Sequence, residues 1–277
     1  MNVARQVSMI GIASIGMMFV ILTGGIDLSV GAIVQFVNVV AAYLMVTAGW
    51  HPILAIFACI VLSVLAGMTN GLFITKARIP PFISTMAMMT ALGGLAFIIS
   101  GGMPIFGFSE GFLVLGQGSV GNVPIPVVLM VAVLIFGHFF LKKTYFGRYF
   151  FAIGGNEEAS NLSGINVVRT KIIVYMLSSF FASIAGVIML SRLGSGVATT
   201  GRGFEFEVIT AVILGGVSIS GGSGRVFGVI MGVLIMGVLF NGLILMGMGH
   251  HVQQVIQGIV LFAAVSIDCI TKARSGK

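Results

Sequence analysis

Residues 172–190 read "IIVYMLSSFFASIAGVIML". The stretch carries no charge, and its polar members, Tyr175, Ser178, Ser179 and Ser183, do not alternate with the apolar ones. A strand of a membrane barrel would alternate polar and apolar side chains along its length. Lipid offers no partner to an unpaired backbone N–H or C=O, so the remaining way to cross a bilayer is an α-helix. Such a helix needs roughly 20 predominantly apolar residues, and this stretch supplies them. It decides the fold class: an all-α, polytopic membrane protein.

The rest of the chain agrees. Of 277 residues, 58% are hydrophobic and 8% charged, with a mean hydropathy of +1.16. Soluble domains are about 45–50% apolar and about 25% charged. No Asp, Glu, Lys or Arg occurs from Leu28 to Thr75, from Ile79 to Ser109 or from Val226 to Ile267. Apolar segments fall near 6–24, 29–48, 52–74, 82–100, 124–141, 172–191, 205–219, 226–246 and 252–270, about nine in all. The segment at 205–219 is short and ends in glycines, and only "GIDL" joins the first two.

A net charge of +7 would suggest nucleic acid for a soluble protein. Here it reads as the excess of Lys and Arg that cytoplasmic loops carry, so no nucleic-acid partner is expected. With the C-terminus "TKARSGK" in the cytoplasm, alternate counting places Lys76, Arg78, Lys142, Lys143, Arg148, Arg169, Lys171, Arg225, Lys272, Arg274 and Lys277 inside. Arg5, Arg192 and Arg202 stay outside. The whole chain, 1–277, reads as one transmembrane domain, with a cytoplasmic loop at about 142–171. Cys59 and Cys269 sit in or beside apolar segments without metal-ligand spacing and read as small hydrophobes. No metal or cofactor is expected. His51, His138, His250 and His251 form no catalytic set with Ser, Cys or Asp, which argues against an enzyme.

Forty glycines suit a bundle, because small residues let helix backbones approach in lipid. "GMTNG" (67–71) and "GVIMG" (228–232) have the small-xxx-small spacing. In "TGGIDLSVGA" (23–32), Gly24 and Gly25 can end one helix, and Asp27 or Ser29 can cap the next. The rival reading makes Asp27 an ion or proton site, as intramembrane acids often are. "GGVSISGGSGR" (215–225) fails as a phosphate-binding loop. Gly216 and Gly221 have the spacing, but Gly222 stands where the lysine must be. Gly215, Gly216, Gly221, Gly222 and Arg225 are better suited to a short, broken helix beside a cavity. Gln35 with Asn38, and Gln253 with Gln257, share helix faces by their i,i+3 and i,i+4 spacing. Together with Asn241 they are candidates to line a pathway for a hydroxyl-bearing solute. Interhelical hydrogen-bond glue is the commoner use of such amides.

One polar island interrupts the apolar chain: "GGNEEASNLSGINVVRTK" (154–171). Gly154 and Gly155 break the chain and Asn156 can cap a helix. Glu157 and Glu158 then occupy the first turn, where the helix dipole favours acids, and Gly164 is placed to end it. Ala159 and Leu162 offer a small apolar face. A helix this short is not stable alone, so docking onto a partner competes with a plain solvated loop.

These residues carry a resemblance. "ILTGGIDLSVGA", "GRYFFAIGGNEEASNLSGINVVRTKIIVY" and "AVILGGVSISGGSGRVFGVIMGVLIMGVLFNGLILMG" resemble, in order and almost end to end, the membrane permeases of bacterial sugar ABC importers, the ribose group foremost. The resemblance implies a multi-pass inner-membrane translocation subunit acting as a dimer. A cytoplasmic ABC ATPase subunit would dock below it, and a periplasmic or extracellular sugar-binding protein above. It implies that Gly155, Asn156, Glu157, Glu158, Ala159, Ser160 and Gly164 form the ATPase-coupling segment, with Ser160 in place of the usual alanine. It also implies a ten-span fold of which the first span is missing here, which accounts for nine segments and an outside N-terminus. ATP hydrolysis belongs to the partner, since no lysine occurs between Lys171 and Lys272. The cargo is a monosaccharide, ribose or similar. The alternatives are nucleosides or branched-chain amino acids on the same fold, or an ion-coupled carrier using Asp27, against which stands the expectation that only one acid lies near the membrane interior. The lack of a charge deep in a span speaks against a zwitterion.

Overall fold

The computed structural model describes residues 2–274. Twelve α-helices follow one another among them: α1 (Asn2–Leu22), α2 (Ser29–Ala42), α3 (Pro52–Thr75), α4 (Pro81–Ser100), α5 (Glu110–Gln117), α6 (Ile125–Lys143), α7 (Tyr145–Gly155), α8 (Glu157–Leu162), α9 (Val167–Leu193), α10 (Phe204–Leu214), α11 (Val226–Leu245) and α12 (His250–Arg274). A π-helical turn over Tyr43–Thr47 extends α2. A two-residue hairpin pairs Ser119–Val120 with Val123–Pro124. The architecture is all-α, as the charge-free runs require.

Eight of the described helices are long and apolar enough to cross a bilayer. Their burial separates centre from rim. In α1, 89% of the apolar window is buried, against 11% in α12. The first helix is therefore the axis around which α6, α9, α10 and α11 pack, α2 packs between α4 and α9, and α3, α4 and α12 turn broad apolar faces outward. A soluble protein would not leave Ile98, Phe227, Phe262 and Ile53 exposed together; a bilayer is the solvent that suits them.

The ninth apolar segment departs from expectation. Residues 205–219 do not form a span-length helix, since α10 has only eleven residues. At 1.5 Å per residue that is about half of a roughly 30 Å hydrocarbon core. The other half of the crossing is the non-helical run 194–203. It starts at the far end of α2, where Gly196 exchanges two backbone bonds with Ile105. It then runs down α2 past Asn38 and Gln35 to Gly31, where α10 begins. The glycines after Leu214 end α10 and let the chain turn into α11.

Small residues let the central helices touch. A Cβ on Gly71 would press on the Ile172 backbone of α9, and one on Gly67 would fall on Tyr175 and Ser179. Likewise, a Cβ on Gly232 of α11 would fall on the Ala211 carbonyl of α10. Both spacings noticed in the sequence are therefore backbone contacts. We expect Gly71→Val to force α3 from α9, because the obstructing atom is backbone and cannot rotate away. Overpacking of this kind costs about 1–3 kcal/mol. Thermal unfolding of the detergent-purified protein would show a midpoint lower by roughly 3–10 °C.

Candidate functional site

Two regions depart from plain helix packing, and they lie at different depths. The first is at the end of the bundle that holds α7 and α8. Lys76, Arg78, Lys142, Lys143, Arg148, Arg169, Lys171 and Arg225 gather there, because the ends of α3, α6 and α9 and the start of α11 meet around α7 and α8. Arg5 and Arg192 lie at the opposite end, where Arg5 donates to the Gln117 carbonyl at 2.6 Å. Lys277 lies outside the described residues.

In α8, Asn156 accepts the Ala159 N–H at 2.9 Å as N-cap. Glu157 pairs with Lys171 at 2.6 Å, tying the first turn of α8 to α9. The helix ends at Ser163, and Gly164 follows with φ +86°, a conformation that suits glycine. Ile165 N–H then returns to the Ser160 carbonyl at 3.1 Å. Glu158 and Ala159 are exposed and Leu162 is 83% exposed. Ser160 differs: it is buried, and its hydroxyl is spent on the Asn156 carbonyl at 2.8 Å. That bond lies within the helix's own first turn, and the buried Ser160 offers no outward docking surface. Gly155 follows Gly154 into a close junction. The Gly222 N–H donates to the Leu22 carbonyl at 3.0 Å, and a Cβ on Gly154 would strike both groups. Three glycine pairs, 24–25, 154–155 and 221–222, so converge where α1 ends and α8 begins. Gly24, Gly216, Gly221 and Gly222 have positive φ, and Gly215 abuts Gly228. Arg225 is the N-cap residue of α11, without a side-chain cap bond.

Asp27 lies near this junction, fully buried. One carboxylate oxygen accepts the N–H and hydroxyl of Ser29; the other accepts the Ser178 hydroxyl at 2.8 Å. Asn70 donates to Ser29 at 3.1 Å and accepts from Ser84 at 3.4 Å. The chain Ser84–Asn70–Ser29–Asp27–Ser178 joins α4, α3, α2 and α9.

The second region is the broken crossing. Gln35 Nε2 donates to the Ala198 carbonyl and, at 3.5 Å, to Gly93. Asn38 Oδ1 accepts the Val197 N–H at 2.8 Å. The two amides, one turn apart on α2, thus hold backbone that has no helical partner. Below them is a cleft of about 350 Å³ lined in part by Gln35, Thr90, Gly93, Phe97, Arg202 and Glu205. The Arg202 guanidinium lies 4.8 Å from the centre of the Phe97 ring. Glu205 is 5% exposed and lies in the first turn of α10, where the helix start favours an anion. Gly31 admits that carboxylate, since a Cβ there would overlap it. Arg202 also borders two further clefts, one of about 470 Å³ with Gln254 and Gln257, and one with Gln6, Arg192 and Glu207.

Of the sequence candidates, Gln35 and Gln257 reach these clefts. Asn38 serves as a clasp, and Gln253 donates to the Met248 carbonyl before α12. Asn241 lies on α11 away from these clefts. Sequence reasoning missed Arg202, Glu205 and Glu207. It counted Asp27 as the only acid near the interior, which is corrected by Glu205, buried against Gly31 of α2; Arg202, counted outside, is exposed and shares a cleft with Gln6 and Arg192. The corrected placement also removes the argument against a zwitterion. The signal was legible in "GRGFEFE" (201–207): three charges that open an apolar segment too short to cross.

A family model described as branched-chain amino acid transport system / permease component matches residues 1–265. The ribose import permease protein of Bacillus subtilis is 45% identical, covering 97% of this chain and 84% of its own length. The ribose import permease protein of Escherichia coli K12 is 41% identical over 96% of this chain and 84% of its own. The L-arabinose transport system permease protein of Escherichia coli K12 is 41% identical over 95% and 80%. No solved structure matches.

Asp27→Ala would orphan three buried donors. Each unsatisfied group costs about 1–3 kcal/mol, so the purified variant is expected to unfold at a clearly lower temperature. Asp27→Asn, whose Oδ1 can still accept from Ser29, should lie between the two.

Proposed function

Since the chain belongs to the branched-chain amino acid transport system / permease component family and is a multi-pass inner-membrane permease, we propose that it is the translocation subunit of a binding-protein-dependent ABC importer for a monosaccharide. It is not an enzyme. The names of its relatives, two ribose import permeases and an L-arabinose permease, support a sugar as cargo.

The observation that carries the mechanism is α8. It sits at the end of the bundle with the excess of Lys and Arg, which is the cytoplasmic end by the positive-inside bias. It is tied to α9 by the Glu157–Lys171 pair, with Ser160 buried on the inner side, and presents Glu158, Ala159 and Leu162 on the other. A separate ATPase can drive the permease only if its states bind the two permease conformations with different affinity. Swinging a two-state equilibrium from 1:99 to 99:1 takes about 5.5 kcal/mol of such difference. The exposed face of α8 is where that difference acts. The glycine junction behind it passes displacement to α1 and to the loop between α10 and α11, because bare backbone leaves no side chain to absorb the movement. A second copy completes the pathway, and a sugar-binding protein delivers cargo at the far end.

One observation favours a second reading. Arg202 and Glu205 at one cleft resemble a pair that holds the two ends of an amino acid. Uptake assays decide between them: cells carrying the cognate ATPase and binding protein should accumulate ribose or arabinose in preference to leucine. Glu158→Lys and Leu162→Asp should each reduce uptake about tenfold or more and release the ATPase on co-purification. Unchanged uptake and unchanged association would refute the role given to α8.

A further inference from the structure

We propose that the cleft at the broken crossing is a solute subsite within this chain, built for a neutral, polyhydroxylated molecule. The inference rests on the permease reading and adds the chemistry by which the membrane subunit itself grips cargo.

The cleft falls within the usual range of roughly 300–1,000 Å³ for small-molecule sites. Its polar groups are few and converge from four segments: α2, α4, the run 194–203 and α10. Gln35 spends its Nε2 on the Ala198 and Gly93 carbonyls, and among the described residues nothing donates to its Oε1. Thr90 donates its hydroxyl to Met86 at 3.0 Å within its own helix, which leaves lone pairs to accept. Arg202 lies over Phe97, with no hydrogen-bond partner for its N–H groups among the described residues. Glu205 is held at the start of α10. Planar acceptors and a planar donor fork beside an aromatic face match a sugar ring, which offers hydroxyls at its rim and C–H groups on its faces.

Charge selects the class. Arg202 and Glu205 carry opposite charges, so the cleft favours neither an anion nor a cation. A zwitterion would need a free acceptor for its ammonium group, but the carboxylate of Glu205 is nearly enclosed, its Oε2 set against Gly31. A hydroxyl needs only one lone pair. The broken backbone shapes the site: a continuous helix over 194–214 would spend the free N–H groups at the start of α10 in its own bonding.

The test uses the full chain in lipid nanodiscs without a binding protein, and radiolabelled D-ribose, L-arabinose and leucine as probes. Saturable binding of either sugar is expected, with leucine failing to compete. Arg202→Met should weaken it about tenfold and Thr90→Val several-fold. Leu245→Ala, on the exposed face of α11 and outside every cleft described, should bind as the unaltered protein does. Thr90→Val keeps the test decisive if Arg202→Met does not fold, because Thr90 contributes only a bond within its own turn. No saturable sugar binding, a preference for leucine, or unaltered affinity in folded Thr90→Val and Arg202→Met would each overturn the proposal. Those outcomes leave the role of α8 in uptake untouched, so the two failures are distinguishable.

Discussion

Backbone that leaves the helical ladder inside a membrane must find its partners within the protein. That constraint governs the run 194–203. Its N–H and C=O groups would be costly against lipid, and the run lies along α2 with Gly196 and Ala198 buried. Its bonds are met by Ile105, Asn38 and Gln35. The two amides on α2 are therefore both glue and architecture. They make a broken crossing possible, and a broken crossing is what leaves a charged helix start and a cleft partway through the bundle.

The same economy of small groups operates at the other end. The close approach of α1, α7 and the α10–α11 loop depends on glycines at 154 and 222, where any Cβ would meet a carbonyl or an N–H. Bulky side chains there would separate the lever from the bundle. Instead α8 stands on a junction of bare backbone, with Asp27 and its serine partners tying four helices a short distance above. Asp27 thus joins α2 to α9 near that junction. Its oxygens are occupied by Ser29 and Ser178.

Much of this was readable from residue order. Charge-free runs give the bilayer and eight of the helices, the capping sequence at Asn156 gives α8, and the glycine spacings mark helix contacts. Other features were not readable. Ser160 looks like part of a docking face by its position in the motif, yet it points inward. A six-residue helix carries too little periodicity to tell which side is free. Glu205 and Glu207 escaped notice because a sliding apolar window averages a charged helix start into the apolar run that follows it. The amides shared a face as predicted, but which would hold backbone and which would border a cleft depended on the position of residues 194–203, more than 150 residues away in the chain.

What the sequence determined alone, therefore, is whatever follows from solvent and local geometry: an apolar run must be a helix in lipid, a basic excess must collect at one end, and a capped polar island must form a short helix. Those rules act on neighbours in the chain. What only the tertiary structure decided is where distant segments meet: the glycine pairs in one junction, the Asp27 network across four helices, and Arg202 beside Gln35 and Phe97. Such meetings depend on packing and on satisfying buried backbone, and neither is a property of any single stretch.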